Sequence, residues 1–178
     1  MVNFVLIDFI FNIRSKDIIA YDIETYKHCF TFYAIHVDTG QEWYFEISEY
    51  RNDLKTFIMF FDICIDMKVT WVGYNNIGFD YPVVHWIYKS HMIESVTCSS
   101  IHDKATQIIK SDSFSSTIWP NDRLVNQLDL YKIHHFDNRA RATSLKVLEF
   151  NMRMDNIEDL PFPVDAELSE SDIVILKD

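Results

Sequence analysis

Along this chain hydrophobic positions recur with two different periods, and the points where the period changes mark its elements. At 18–22, Ile-Ile-Ala-Tyr-Asp, β-branched and aromatic residues run together in the pattern of a buried strand. Residues 30–37 are again rich in β-formers, Asp38-Thr39-Gly40 is a turn signal, and 42–47 alternates as a return strand, which predicts an antiparallel meander. The period then lengthens. Leu54, Phe57, Ile58, Phe61 and Ile65 fall on one face of a helix that Asn52 or Asp53 would cap and that runs to about Met67. A short strand at 69–72 leads into Gly73-Tyr74-Asn75-Asn76-Ile77-Gly78-Phe79-Asp80-Tyr81-Pro82. Its small and amide residues make a loop, and its proline suits the first turn of a helix through Val83, Val84, Trp86 and Ile87.

Beyond that helix the signal weakens. The stretch 94–122, rich in Ser, Thr and Asp, is expected to be irregular except for one helix near 104–110. A core strand is expected at 124–130, then a basic loop with Lys132, His134, His135, Arg139 and Arg141, then a helix capped by Thr143 or Ser144 and bearing Leu145, Leu148 and Phe150. Pro161 and Pro163 break the chain before Ser169-Glu170-Ser171-Asp172, a capping-box start to a helix over 173–178. The order predicts an α/β fold: a mixed sheet with an antiparallel meander followed by parallel crossovers, flanked by helices, in one domain spanning 1–178.

Composition narrows the class. With 178 residues, 48% of them hydrophobic, three Gly and four Pro, the chain can build a real core and is neither linker nor low-complexity protein. Cys29, Cys64 and Cys98 are odd in number and form no CxxC pair, which excludes a disulfide framework and a zinc site and suits a reducing, cytoplasmic setting, that of the host cell if the source is viral. The apolar run 1–13 contains Asp8, lacks a cationic start and a cleavage site, and is shorter than a membrane span. It is expected to be a core strand or an edge extension, with a secretory signal as the alternative, and no membrane partner is expected. A net charge of −11 counts against a broad grip on duplex DNA, but not against an enzyme that holds a short single strand through metals and a few aromatics.

The candidate chemistry lies in Asp22 and Glu24. On a strand, residues i and i+2 share a face, so both carboxylates project together. Like charges there are costly unless something positive sits between them, and sulfur-free oxygen clusters suit hard ions such as Mg²⁺ or Mn²⁺. The other reading is two solvated acids. Asp80, at a helix N-terminus after a strand expected to lie parallel to the first, is either a third ligand or an N-cap.

Three stretches resemble the DEDD 3′–5′ exonucleases of the ribonuclease H-like fold, and most nearly the proofreading domains of B-family and phage DNA polymerases. Asp22-Ile23-Glu24-Thr25 is similar to their first motif. Tyr74-Asn75-Asn76-Ile77-Gly78-Phe79-Asp80 is similar to their second, an Asn followed a few residues on by an aromatic and an Asp. Leu128-Asp129-Leu130-Tyr131 and Ala142-Thr143-Ser144-Leu145-Lys146 resemble the strand and capped helix that precede the third. The resemblance implies two divalent cations, Mg²⁺ or Mn²⁺, held by Asp22, Glu24 and Asp80, and hydrolysis of single-stranded DNA from its 3′ end to mononucleotides. It implies that Asn75 and Phe79 touch the terminal nucleotides by hydrogen bond and stacking, and that a polymerase portion or a replication complex is a partner. Phe79 before a helix is equally a hydrophobic staple.

The family's third motif is a Tyr or His followed by an Asp, on a helix matching the one that begins near Ser169. Here Asp172 and Asp178 lie on that helix without such a partner, so the expectation is a chain cut short before the motif, with weakened metal binding and turnover. Asp129 reads as a cap of the turn after its strand. His134 and His135 are candidates for a base or simply solvated, and Lys132, Arg139, Arg141 and Lys146 are either phosphate contacts or a solvated surface. Two other classes remain open: an inactive nucleic-acid-binding or polymerase-docking module of the same fold, and a ribonuclease or structure-specific nuclease.

Overall fold

The computed structural model describes residues 11–111, 113–134, 143–154, 162–163 and 166–176. A five-stranded mixed sheet, ordered β3-β2-β1-β4-β5, organises them. β1 (Ile18–Tyr26), β2 (Cys29–His36) and β3 (Glu42–Ser48) form the antiparallel meander, and β4 (Thr70–Gly73) and β5 (Asn126–Asp129) add in parallel on the other side of β1. This is the α/β mixed sheet flanked by helices expected from the order of elements, and it is consistent with the ribonuclease H-like arrangement that the resemblance implies.

Alternation along β1 divides the sheet into two faces. Ile19, Tyr21 and Ile23 point into the main core with Phe30, Phe32 and Ala34 of β2 and Trp43, Phe45 and Ile47 of β3. Helices α1 (Leu54–Asp66), α2 (Asp80–Ser90) and α3 (Cys98–Lys110) contribute to the same core. Phe32 is its hub: fully buried, its ring lies 5.0 Å from Phe57, 5.4 Å from Trp71 and 5.5 Å from Tyr21. The opposite face carries Asp22 and Glu24. Its smaller core joins Tyr26 and Cys29, at the hairpin end, to Leu168 and to Ile173 of the C-terminal helix α6 (Glu170–Ile175). Between β5 and α6 lie two short helices, α4 (Leu130–His134) and α5 (Leu145–Asn151).

Several expectations are corrected in detail. β1 does not stop at the acids but continues to Tyr26, because Ile23, Thr25 and Tyr26 keep pairing with β2. Asp53 occupies the N-cap of α1 without a side-chain cap bond, its carboxylate instead accepting the Glu46 N–H and pairing with Arg51, while Asn52, one residue earlier, accepts the Leu54 N–H. The helix expected near 104–110 begins at Cys98, under a reciprocal Thr97/Ser100 capping box that uses Ser where Glu or Gln is the usual signal. The strand expected at 124–130 pairs only from Asn126 to Asp129, and Leu130 already opens α4. Of the N-terminal run, residues 1–10 lie outside the described residues. Phe11 and Ile13 are buried in the main core, and 11–13 belong to no strand. Ser144 and Ser169 cap their helices as expected.

Deleting the hub ring tests this picture. Phe32→Ala removes buried area and leaves a cavity, so urea unfolding should show a loss of about 3–5 kcal/mol, while the exposed Val37→Ala should change stability by less than about 0.5 kcal/mol.

Candidate active site

The site begins where two parallel strands part. β1 pairs with β4 only through Ile18↔Thr70, Ile19↔Trp71 and Ala20↔Val72, so beyond Ala20 one edge of β1 has no strand beside it. Asp22 and Glu24 stand on this unaccompanied segment. Crevices beyond the carboxyl ends of parallel strands are where α/β sheets commonly place ligands. The chain leaves β4 at Gly73, where an added Cβ would lie 2.8 Å from the Asn76 Cβ and 3.3 Å from the Tyr21 carbonyl oxygen, so only glycine permits the turn without a shift. Seven residues later α2 starts at Asp80, whose side chain is buried and lies against this segment of β1.

Asp22 and Asp80 are in side-chain hydrogen-bond contact, and the Ile23 N–H faces both carboxyl groups. Two carboxyl groups in such contact share a proton. Burial raises the Asp80 pKa well above the usual carboxylate range, and the Asp22 charge, then that of Glu24, raises it further. Asp22 keeps an exposed surface, yet protein atoms crowded around its carboxyl raise its pKa as well, against the lowering effects of the Ile23 amide and Asp80. Glu24, half-buried, is pushed up to about 7 by burial and by the Asp22 charge. Among the described residues, no lysine, arginine or histidine is one of the groups that act on these three acids.

The loop between β4 and α2 shows where the other expected residues go. Asn75 sits in the left-handed region at φ 59°, which Asn tolerates better than most residues, and its amide lies over the bare Cα of Gly78, where a Cβ would come within 2.6 Å of its Oδ1. Its surface remains exposed. Phe79, at the N-cap of α2, packs partly against the main core and keeps part of its surface exposed. Asp129 caps the turn after β5 by accepting the Tyr131 N–H, as expected, and also receives the Asn75 and Ile77 N–H groups from this loop.

Sequence reasoning missed the polar layer beneath the acids. Tyr21 donates to Gln127 Oε1 at 3.0 Å, Asn76 Nδ2 donates to the same oxygen at 2.8 Å, and burial followed by the Asp80 charge raises the Tyr21 pKa well above its usual range. The one available signal was the alternation at Gln127 and Asp129, which the flanking leucines masked.

Other sequence candidates lie elsewhere. Asp172 is committed to the cap of α6 through Ser169, which lowers its pKa. Lys132 and Lys146 are exposed, on α4 and α5. His134 ends α4, and His135, Arg139, Arg141 and Asp178 lie outside the described residues. A separate groove on the acid-bearing face, lined by Tyr44, Glu46, Tyr50, Arg51, Glu170 and Ile173, contains one buried acid, Glu46, already bound by Ser48 and Tyr44.

Whether the three acids suit a divalent ion is a question of donors and competition. The donor set is all carboxyl oxygen, and no counter-ion for it stands among the described residues, which fits a hard cation. Among the described residues no three such side chains already stand at the spacing of a coordinated ion. Both carboxyl groups hold protons more tightly than usual, so a cation bound there would compete with protons for Asp22 and Asp80. Compared with known proteins, the chain matches no family model, no curated sequence and no solved structure.

The raised pKa of Glu24 has a definite sign. The folded state binds the proton more tightly than the unfolded chain, so the resulting stabilisation is complete below the ordinary value of 4.5 and is lost as pH rises to about 7. Glu24→Gln should therefore be more stable than the native chain at pH 8 in EDTA, by about 1–2 kcal/mol, with the difference vanishing at pH 4. Urea midpoints across that range measure it.

Proposed function

We propose that this chain is a two-metal phosphodiesterase domain of the 3′–5′ exonuclease type, acting on single-stranded DNA ends. The observation that carries the reading is the meeting of Asp22, Glu24 and Asp80, from two distant elements, with no cationic side chain among the described residues acting on them. Asp22, Glu24 and Asp80 would together hold the ions. Bound divalent ions supply a water activated for attack and charge stabilisation at the leaving 3′ oxygen. The protein's own part is to gather the acids on the β1 overhang and the start of α2, with the exposed Asn75 and the partly exposed Phe79 in the loop that leads to Asp80.

The surrounding surface supports a short single-stranded substrate over a duplex. The chain carries a net charge of −11, which repels an extended polyanion and leaves bound cations as the local attraction. One observation favours the second reading, a docking module for a polymerase or replication partner. α5 has no buried residue and leaves Leu145, Val147 and Phe150 exposed.

Calorimetry and a nuclease assay separate the two. With Mn²⁺ present, a 5′-labelled single strand should shorten slowly and stepwise from its 3′ end. Asp22→Ala should weaken Mn²⁺ binding and slow the shortening by at least about 100-fold. A native chain that neither binds Mn²⁺ nor shortens the strand is a docking module.

A further inference from the structure

The buried carboxylate of Asp129 has one more task than capping its own turn requires. Asp129 stands opposite Gly73 in the β4–β5 register, at the point where the chain leaves the sheet for the loop that ends at Asp80. Only 4% of its surface is exposed, and Oδ1 accepts from Asn75 N at 2.9 Å and Tyr131 N at 3.0 Å while Oδ2 accepts from Ile77 N at 3.3 Å. Capping α4 uses the Tyr131 bond alone. The other two tie down a loop from a different strand, on both sides of Asn76 and next to the left-handed Asn75. A carboxylate that receives several backbone N–H groups fixes their positions more firmly than a neutral acceptor does.

The loop so fixed has one direct continuation. Asn76 accepts the Tyr81 N–H, and Asn75 accepts those of Gly78 and Phe79, so the segment held by Asp129 is rigidly joined to the first turn of α2. The geometry assigns Asp129 the role of a positioning residue, one that touches no reacting group but sets where the Asp80 carboxyl meets Asp22 and the Ile23 amide. This rests, for its functional meaning, on the proposed cation site, but its structural half can be tested without metal.

The test follows the Ile23 amide by proton–nitrogen correlation NMR on the full chain in EDTA, with Asp80→Ala as the reference for an amide that has lost that carboxyl. In Asp129→Asn, one oxygen becomes an N–H donor facing loop amides. The Ile23 resonance should then move toward its Asp80→Ala position, and Asp129→Glu, which keeps both oxygens, should restore part of the displacement. A purely local cap predicts that the Asn75, Ile77 and Tyr131 amides shift while Ile23 stays at its native position, and that result overturns the proposal. So does failure of both variants to melt cooperatively, which makes Asp129 a requirement of folding. Mn²⁺ affinity, measured in parallel, should fall about tenfold in Asp129→Asn. If the native chain binds no Mn²⁺ while the Ile23 displacement is seen, the cation site fails and the positioning role stands.

Discussion

The constraint on which this molecule turns is electrostatic: three carboxyl groups are brought together where no cationic side chain among the described residues neutralises them. Gathering like charges in a partly dry recess raises the free energy of the charged forms, and the pKa values of Asp22, Glu24 and Asp80 all rise in response. A fold built only for stability would spread these acids apart or insert an arginine. Keeping them together is the arrangement expected of a site that takes its positive charge from solution.

The fold makes this arrangement possible by a mismatch in strand length. β1 has nine residues and β4 only four, and their pairing ends at Ala20. The overhang is supported on its other edge by β2 through Tyr26↔Cys29, so it stays a strand while its β4 side lies open. The aromatic core around Phe32 stiffens one face beneath the overhang, and α6 with Leu168 closes off the hairpin end of the other. The acids therefore stand on rigid backbone, which favours a defined ligand geometry over a mobile one.

The polar residues of β5 show a second constraint. Gln127 and Asp129 face the interior side while Leu128 is 41% exposed, the reverse of what a hydrophobic strand in a core would do. Burial of Asp129 is tolerable because three amides satisfy it, and Gln127 is satisfied by Tyr21 and Asn76. The Asn76 Oδ1 is left buried without a partner in the same layer. A polar layer of this kind specifies one loop conformation where an apolar one would permit several.

Much of this was legible in the chain itself. Hydrophobic period fixes strand and helix locally, so the meander, the α1 face and the Ser144 and Ser169 caps could be read from neighbouring residues alone. The i, i+2 rule likewise placed Asp22 and Glu24 on one face. What only the tertiary structure decided depends on residues far apart in sequence: that β1 continues past its acids, that the α3 helix begins at Cys98, and that Asp80 reaches back to the Ile23 amide. The inward orientation of Asp129 belongs to the same group, because its donors come from a loop more than fifty residues earlier, and no local pattern records a hydrogen bond of that range.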